Sequence, residues 1–252
     1  MTALETHLRA RRENGKLLMP YLTGGVGDDW LDHLRAIAAA GADAIEVGLP
    51  FSDPTLDGAT IQEASDAALS RGATPAGILA ELAGVDVGMP LVASTYANLV
   101  LRGGADRFCA ALRAAGCTGL IVPDLPLEEA AEIEHAAAAA GVALALLASP
   151  ATPDDRVGEI ASRSRGFVYA VSLMGTTGER ERLPASSLTA RLKRVTDRPV
   201  LLGFGISTPE QAAAATRDAD GVIVGAAVMR RVLDGAGPAR VGEFVARLRA
   251  AV

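Results

Sequence analysis

Aromatic residues make up only 4% of the 252 residues, and 24 Lys and Arg face 30 Asp and Glu, a formal net charge of −6. A nucleic-acid surface uses a basic stripe and stacking rings. This chain has neither, so nucleic acid is not expected as a partner. Cysteine is scarce: Cys109 and Cys117 lie in an apolar stretch without CxxC spacing or a His companion, which reads as two buried thiols in a reducing compartment. The three histidines, His7, His33 and His135, fall on expected helices and form no cluster, so no metal site is expected. No uninterrupted apolar run reaches the roughly 18 residues of a membrane span. Glu5, His7, Arg9, Arg11, Arg12 and Glu13 break up any leader core between Met1 and Lys16. A soluble, cytoplasmic protein with no membrane contact is the expectation.

What the chain does have is apolar side chain, at 50% of residues, too much for a disordered polymer. A folded chain of this length buries about three quarters of its unfolded surface. No Pro-rich, Ser-rich or single-charge stretch suggests a linker, so one domain over residues 1–252 is expected.

Short apolar runs alternate with longer Ala- and Leu-containing charged stretches. Strands are expected near Leu17–Leu22, Ala44–Gly48, Leu91–Tyr96, Gly119–Val122, Ala143–Leu147, Phe167–Val171, Val200–Phe204 and Val222–Val224. Helices are expected between them, including Trp30–Ala40, Thr60–Ser70, Ala105–Ala115, Leu127–Ala140, Pro153–Ser162, Ser187–Val195 and Pro209–Thr216. Eight strand–helix units suit an α/β fold of the (β/α)₈ TIM-barrel type, here with an extra N-terminal helix. An open doubly wound sheet shares the local alternation, but GxGxxG does not follow the first strand. Gly41 and Gly116 each sit between an Ala-rich helix and an apolar strand, as a left-handed helix cap requires.

In such a barrel the chemistry lies at the carboxyl ends of the strands. Alternation puts Ala44, Glu46 and Gly48 on one face of the second strand and Ile45, Val47 and Leu49 on the other. If the apolar triplet meets the outer helices, Glu46 points into the barrel mouth, where an ionised carboxylate must find a partner or accept a raised pKa. A raised pKa suits an acid or base catalyst; a structural ion pair is the plain alternative. Asp53 and Asp57 follow in the turn-forming loop 50–58, and Glu46 with Asp57 could divide donor and acceptor roles about one ligand. Farther on, Gly203, Gly205 and Gly225 punctuate strand ends that run into helices, with Ser207 and Glu210 at capping-box spacing. Amides there and at Gly178 could hold a phosphate. Tyr21, Thr23, Tyr96, Asn98, Asp124 and Tyr169 are further polar strand-end residues, suited to lining a pocket or to structural hydrogen bonds. The acidic run from Glu128 to Glu134 reads as a solvated helix face.

The stretch Ala44-Ile45-Glu46-Val47-Gly48-Leu49-Pro50-Phe51-Ser52-Asp53-Pro54, with Asp57-Gly58 and Thr60-Ile61-Gln62 after it, closely resembles the signature of the tryptophan synthase alpha chain family. Tyr96-Ala97-Asn98, Val122-Pro123-Asp124-Leu125-Pro126 and Gly203-Phe204-Gly205-Ile206-Ser207 match in order, so the likeness spans nearly the whole chain. It implies a TIM barrel that cleaves indole-3-glycerol phosphate to indole and glyceraldehyde 3-phosphate by a retro-aldol reaction. The indole then passes to a pyridoxal-phosphate-dependent beta subunit in an alpha-beta-beta-alpha assembly. By motif match, Glu46 and Asp57 take the places of the catalytic acids and Tyr169 that of an active-site tyrosine. Phe51, Tyr96 and Asp124 fall in or near the pocket, and amides of Gly178, Gly205, Gly225 and Ala226 would hold the phosphate. Asp53 would connect the site with the beta subunit. The resemblance implies no metal or organic cofactor in this chain. Thr176 stands where the family usually has Val in the lid loop 173–178, Ala226 stands where Ser is usual, and Thr23–Gly27 is unusually rich in glycine. A stand-alone lyase releasing free indole, a weakly catalytic paralogue that activates a beta-type subunit, and a sugar-phosphate isomerase barrel are the other readings.

Overall fold

A computed structural model of the protein describes residues 1–171, 185–203 and 205–252, the side chains of 185–187 excepted. The expectations for Gly178, Thr176, the lid loop 173–178 and Phe204 fall outside the described residues. Nine strands form one sheet among the described residues: β1 (Leu17–Thr23), β2 (Ile45–Gly48), β3 (Leu91–Ser94), β4 (Cys117–Ile121), β5 (Ala143–Ala145), β6 (Leu147–Ala148), β7 (Val168–Val171), β8 (Val200–Gly203) and β9 (Gly221–Val224). Their order is β5-β4-β3-β2-β1-β9-β8-β7-β6 and the pairings are parallel.

The two end strands, β5 and β6, are one stretch of chain interrupted only at Leu146. β5 pairs with β4 and β6 with β7, and the Leu146 carbonyl accepts the Tyr169 N–H at 3.1 Å. The ring therefore closes through the chain itself. Eight strand positions are present as expected, and the fifth changes partner midway.

Around the ring lie α1 (Ala3–Arg12), α2 (Trp30–Ala39), α3 (Ala59–Ser70), α4 (Pro75–Leu82), α5 (Ala97–Leu101), α6 (Ala105–Ala114), α7 (Ala131–Ala140), α8 (Asp154–Arg163), α9 (Ala185–Val195), α10 (Pro209–Ala215), α11 (Ala226–Leu233) and α12 (Pro238–Ala251). The expected helix from Leu127 starts as a separate 3₁₀ turn, Leu127–Glu129. The third strand stops at Ser94, because Tyr96 already serves as the N-cap of α5. The capping box shifts by one residue: Thr208 Oγ1 accepts the Gln211 N–H at 3.3 Å, and Gln211 accepts the Ser207 N–H at 2.7 Å. The acidic run is only partly solvated, since Glu128 and Glu134 bridge to Arg156 and Arg163 of α8.

Strand alternation sorts the core into two layers. Ile45, Val47 and Leu49 join the outer layer beneath the helices, and Ala44 joins Leu17, Met19, Val92, Ile121, Phe167, Tyr169, Leu201 and Ile223 inside the barrel. Leu4 and Leu8 of α1 complete that inner layer from below. Leu4 fills the space left by the missing side chains of Gly119 and Gly166, so the extra N-terminal helix is a stopper for the amino-terminal end of the barrel. Burial of each leucine contributes about 2 kcal/mol.

Two aspartates fasten that end. Asp43 accepts the Leu18 N–H at 2.8 Å and pairs with Arg11 at 2.7 Å and Arg249 at 2.8 Å. Asp220 accepts the Val200 N–H at 2.9 Å and pairs with Arg12 and Lys193. Cys109 and Cys117 are buried and unpaired, and burial pushes their thiols up to about 11 and about 12, which keeps them protonated and unreactive. Among the described residues no helix is long and apolar enough to cross a membrane, and no His, Cys, Asp and Glu cluster could hold a metal ion.

Candidate active site

Glu46 sits mid-strand on β2, in register with Tyr21 of β1 on one side and Val92 of β3 on the other. It is 5% exposed, and it faces inward, opposite to the outward set Ile45, Val47 and Leu49. Burial, opposed by a hydrogen bond from Ser94 and reinforced by the nearby charge of Asp57, raises its pKa to about 7.

Asp57 reaches the same mouth from the loop between β2 and α3. Desolvation raises its pKa to about 6, against the pull of Tyr96, whose hydroxyl donates to Asp57 Oδ2 at 3.1 Å. The same hydroxyl accepts the Leu56 N–H at 3.1 Å, so Tyr96 fixes both the loop backbone and the carboxylate. Phe51 stacks on Tyr96 with ring centroids 5.1 Å apart. Among the described residues, no Lys or Arg contributes to the titration of either acid. Glu46 is buried and Asp57 half-buried, and desolvation raises both, each in its own surroundings.

Tyr169 on β7 is buried in the interior and feels both acids; burial, then Glu46 and Asp57, push its phenol well above the ordinary value. Its ring leans into the space over Gly203 of β8, where a Cβ would collide with it. Tyr21 leans in the same way over Gly48 of β2, and its hydroxyl accepts a hydrogen bond from Thr23 Oγ1 at 3.2 Å.

The glycine-rich ends lie at the same mouth. Gly205 has φ +78°, a conformation that favours glycine, and Gly225 is the N-cap of α11, whose first residue is Ala226. No side chain caps α11, which leaves its first amides available to an anion. Asp124 lies near Tyr96, where its Oδ1 accepts the Ala97 N–H at 2.8 Å and so caps α5. Asp53 lies on the exposed rim, with Ser52 donating to it at 2.6 Å, beside an exposed Leu56.

The structure thus gathers Glu46, Asp57, Tyr96, Phe51 and Tyr169 about one mouth, and sets Asp53 at its rim. Ser94 is the residue that sequence reasoning missed. It is in register with Gly48, and alternation from Val92 would have placed it inward, but a serine carries no charge to draw attention to it.

A family profile described as tryptophan synthase alpha chain matches residues 8–247. The tryptophan synthase alpha chain of Chloroflexus aggregans is 44% identical, over 97% of this chain and 94% of that protein. That of Picosynechococcus is 41% identical over the full length of both. Among solved structures, the aminoacrylate-bound tryptophan synthase of M. tuberculosis superposes with a TM-score of 0.90 at 36% identity, covering 100% of both chains. On the matched profile and these full-length relatives, the chain belongs to the tryptophan synthase alpha chain family.

Proposed function

We propose that this protein is the alpha subunit of a tryptophan synthase and cleaves indole-3-glycerol phosphate to indole and glyceraldehyde 3-phosphate. The observation that carries the chemistry is the pair of acids at the mouth, Glu46 buried and near 7, Asp57 half-buried and near 6, with no Lys or Arg acting on them among the described residues. Retro-aldol cleavage breaks the bond from indole C3 to the glycerol carbon that bears a hydroxyl. Over the reaction that hydroxyl loses its proton to become the aldehyde, and C3 gains one. A carboxyl titrating near neutrality can give and take protons with little driving-force penalty, and Glu46 is assigned both transfers.

Asp57, with the lower pKa, is mostly ionised at neutral pH. With Tyr96 occupying Oδ2, its remaining acceptor capacity suits the indole N–H and offsets positive charge developing on the ring. Phe51 and Tyr96 supply an apolar wall for the indole, Tyr169 a buried phenol beside the acids, and Asp124 a rigid rim through its cap on α5. The phosphate is assigned to the amides of Gly205, Gly225 and Ala226, together with Gly178. Ala226 retains its amide although it has no hydroxyl to offer.

Residues 1–252 act as one barrel domain in the cytoplasm, where two unpaired buried thiols persist. Indole passes to a pyridoxal-phosphate-dependent beta subunit in an alpha-beta-beta-alpha assembly, with Asp53 on the exposed rim assigned to the contact. The test is indole and glyceraldehyde 3-phosphate release by the purified chain, alone and with its beta subunit. Slow turnover accelerated by the partner is the expected result. Fast turnover alone would indicate a free indole-releasing lyase, and no turnover in either case would overturn the reaction.

A further inference from the structure

We propose that Ser94 is a positioning residue for Glu46: its hydroxyl, at the carboxyl end of β3, donates to the Glu46 carboxylate and holds it beside the Tyr21 phenol that covers Gly48. This rests on the assignment of Glu46 made above and adds a residue to it.

The geometry follows from register. Glu46 and Gly48 are successive inward positions on β2, and Ser94 is the partner of Gly48 on β3. Because position 48 has no side chain, the layer above Glu46 is empty on its own strand and is filled from the two neighbouring strands. Tyr21 enters from β1 and lays its phenol over the Gly48 backbone. Ser94 enters from β3, level with Gly48, and its hydroxyl acts on the Glu46 carboxyl. Thr23 donates to the Tyr21 oxygen, which fixes the phenol on its side of the collar. Glu46 is thereby set between a ring and a hydroxyl, and among the described residues Ser94 is the side-chain donor that acts on it.

Among the described residues, the titratable groups that face Glu46 are Asp57 from the loop after β2, Tyr21 from β1 and Tyr169 from β7. None is a cation. Burial and Asp57 both favour the neutral acid, and Ser94 is what favours the carboxylate. A proton shuttle needs both forms within reach, so removing this hydroxyl shifts Glu46 toward its neutral form.

The experiment is an NMR titration of isotope-labelled glutamate carboxyls in the full chain, with Glu46 assigned by its loss in Glu46→Gln. In Ser94→Ala the midpoint should move up from about 7, corresponding to a roughly threefold to tenfold gain in proton affinity. kcat for indole release should fall about fivefold with KM little changed, and Ser94→Thr should restore both. An unmoved midpoint, a change in KM alone, or failure of threonine to rescue would overturn the proposal. Glu46→Gln separates it from the reading beneath: if that variant still turns over, the role of Glu46 fails. If it is inactive while the Ser94→Ala midpoint is unmoved, only the inference about Ser94 fails.

Discussion

The barrel buries carboxylates at both ends, and treats them in opposite ways. At the amino-terminal end Asp43 and Asp220 are 3% and 7% exposed, each holding a strand N–H and two basic side chains. At the mouth Glu46 is 5% exposed, and among the described residues no basic side chain acts on it. Equal burial with opposite partners separates a fastening from a reactive group. A buried carboxylate with its cations is a structural tie, whereas one without them can change charge near neutral pH.

The largest expected effect breaks the reactive end. Glu46→Gln and Asp57→Asn should each lower indole release by ~10² or more while circular dichroism stays that of the folded barrel; near-normal turnover in either would remove that residue from the mechanism. At the other end, Asp43→Ala strips the Leu18 N–H and two arginines of their acceptor. It should cost about 3 kcal/mol in urea unfolding with turnover per folded molecule unchanged. A loss of turnover in folded Asp43→Ala would mean that the two ends are not separable.

A third prediction concerns pH. Folded Glu46 titrates near 7 against 4.5 for the free group, so across that window the unfolded chain ionises while the folded one keeps its proton. The stability contribution of Glu46 therefore falls as pH rises from 4.5 to 7, and above 7 the full penalty is on the order of 3 kcal/mol. Glu46→Gln should be more stable than the parent at pH 8 by about 2 kcal/mol and should lose that advantage below pH ~4.5; parallel stability profiles would contradict the raised pKa. The smallest effect sharpens the mouth alone. Tyr96→Phe removes the donor on Asp57 Oδ2 and should reduce kcat roughly fivefold, with Asp57 titrating higher than about 6; an unshifted Asp57 resonance would deny the hydrogen bond that role.

Much of this is readable from sequence, because the barrel repeats one unit and side chains alternate along β2 and most other strands. The inward turn of Glu46 followed from its apolar neighbours Ile45, Val47 and Leu49. The partner change at Leu146 did not, since the residues of β5 and β6 form one apolar run and only the ring as a whole decides which neighbour each half meets. Asp43 and Asp220 are hard to read for a related reason: one cation of each, Arg249 for Asp43 and Arg12 for Asp220, lies more than 200 residues away in sequence. The bond from the Ala97 amide to Asp124 depends on how two loops meet, which sequence does not state.

Tyr21 over Gly48 and Tyr169 over Gly203 carry a consequence for how this sequence can vary. A side chain at either glycine would occupy the place of the ring beside it, and a smaller residue in place of either tyrosine would leave a void above a strand end. Neither member of a pair can be exchanged freely while the other stays. Across variants of this barrel, positions 21 and 48 should change together or not at all, as should 169 and 203, so that the mouth is inherited as two linked couples rather than four independent sites.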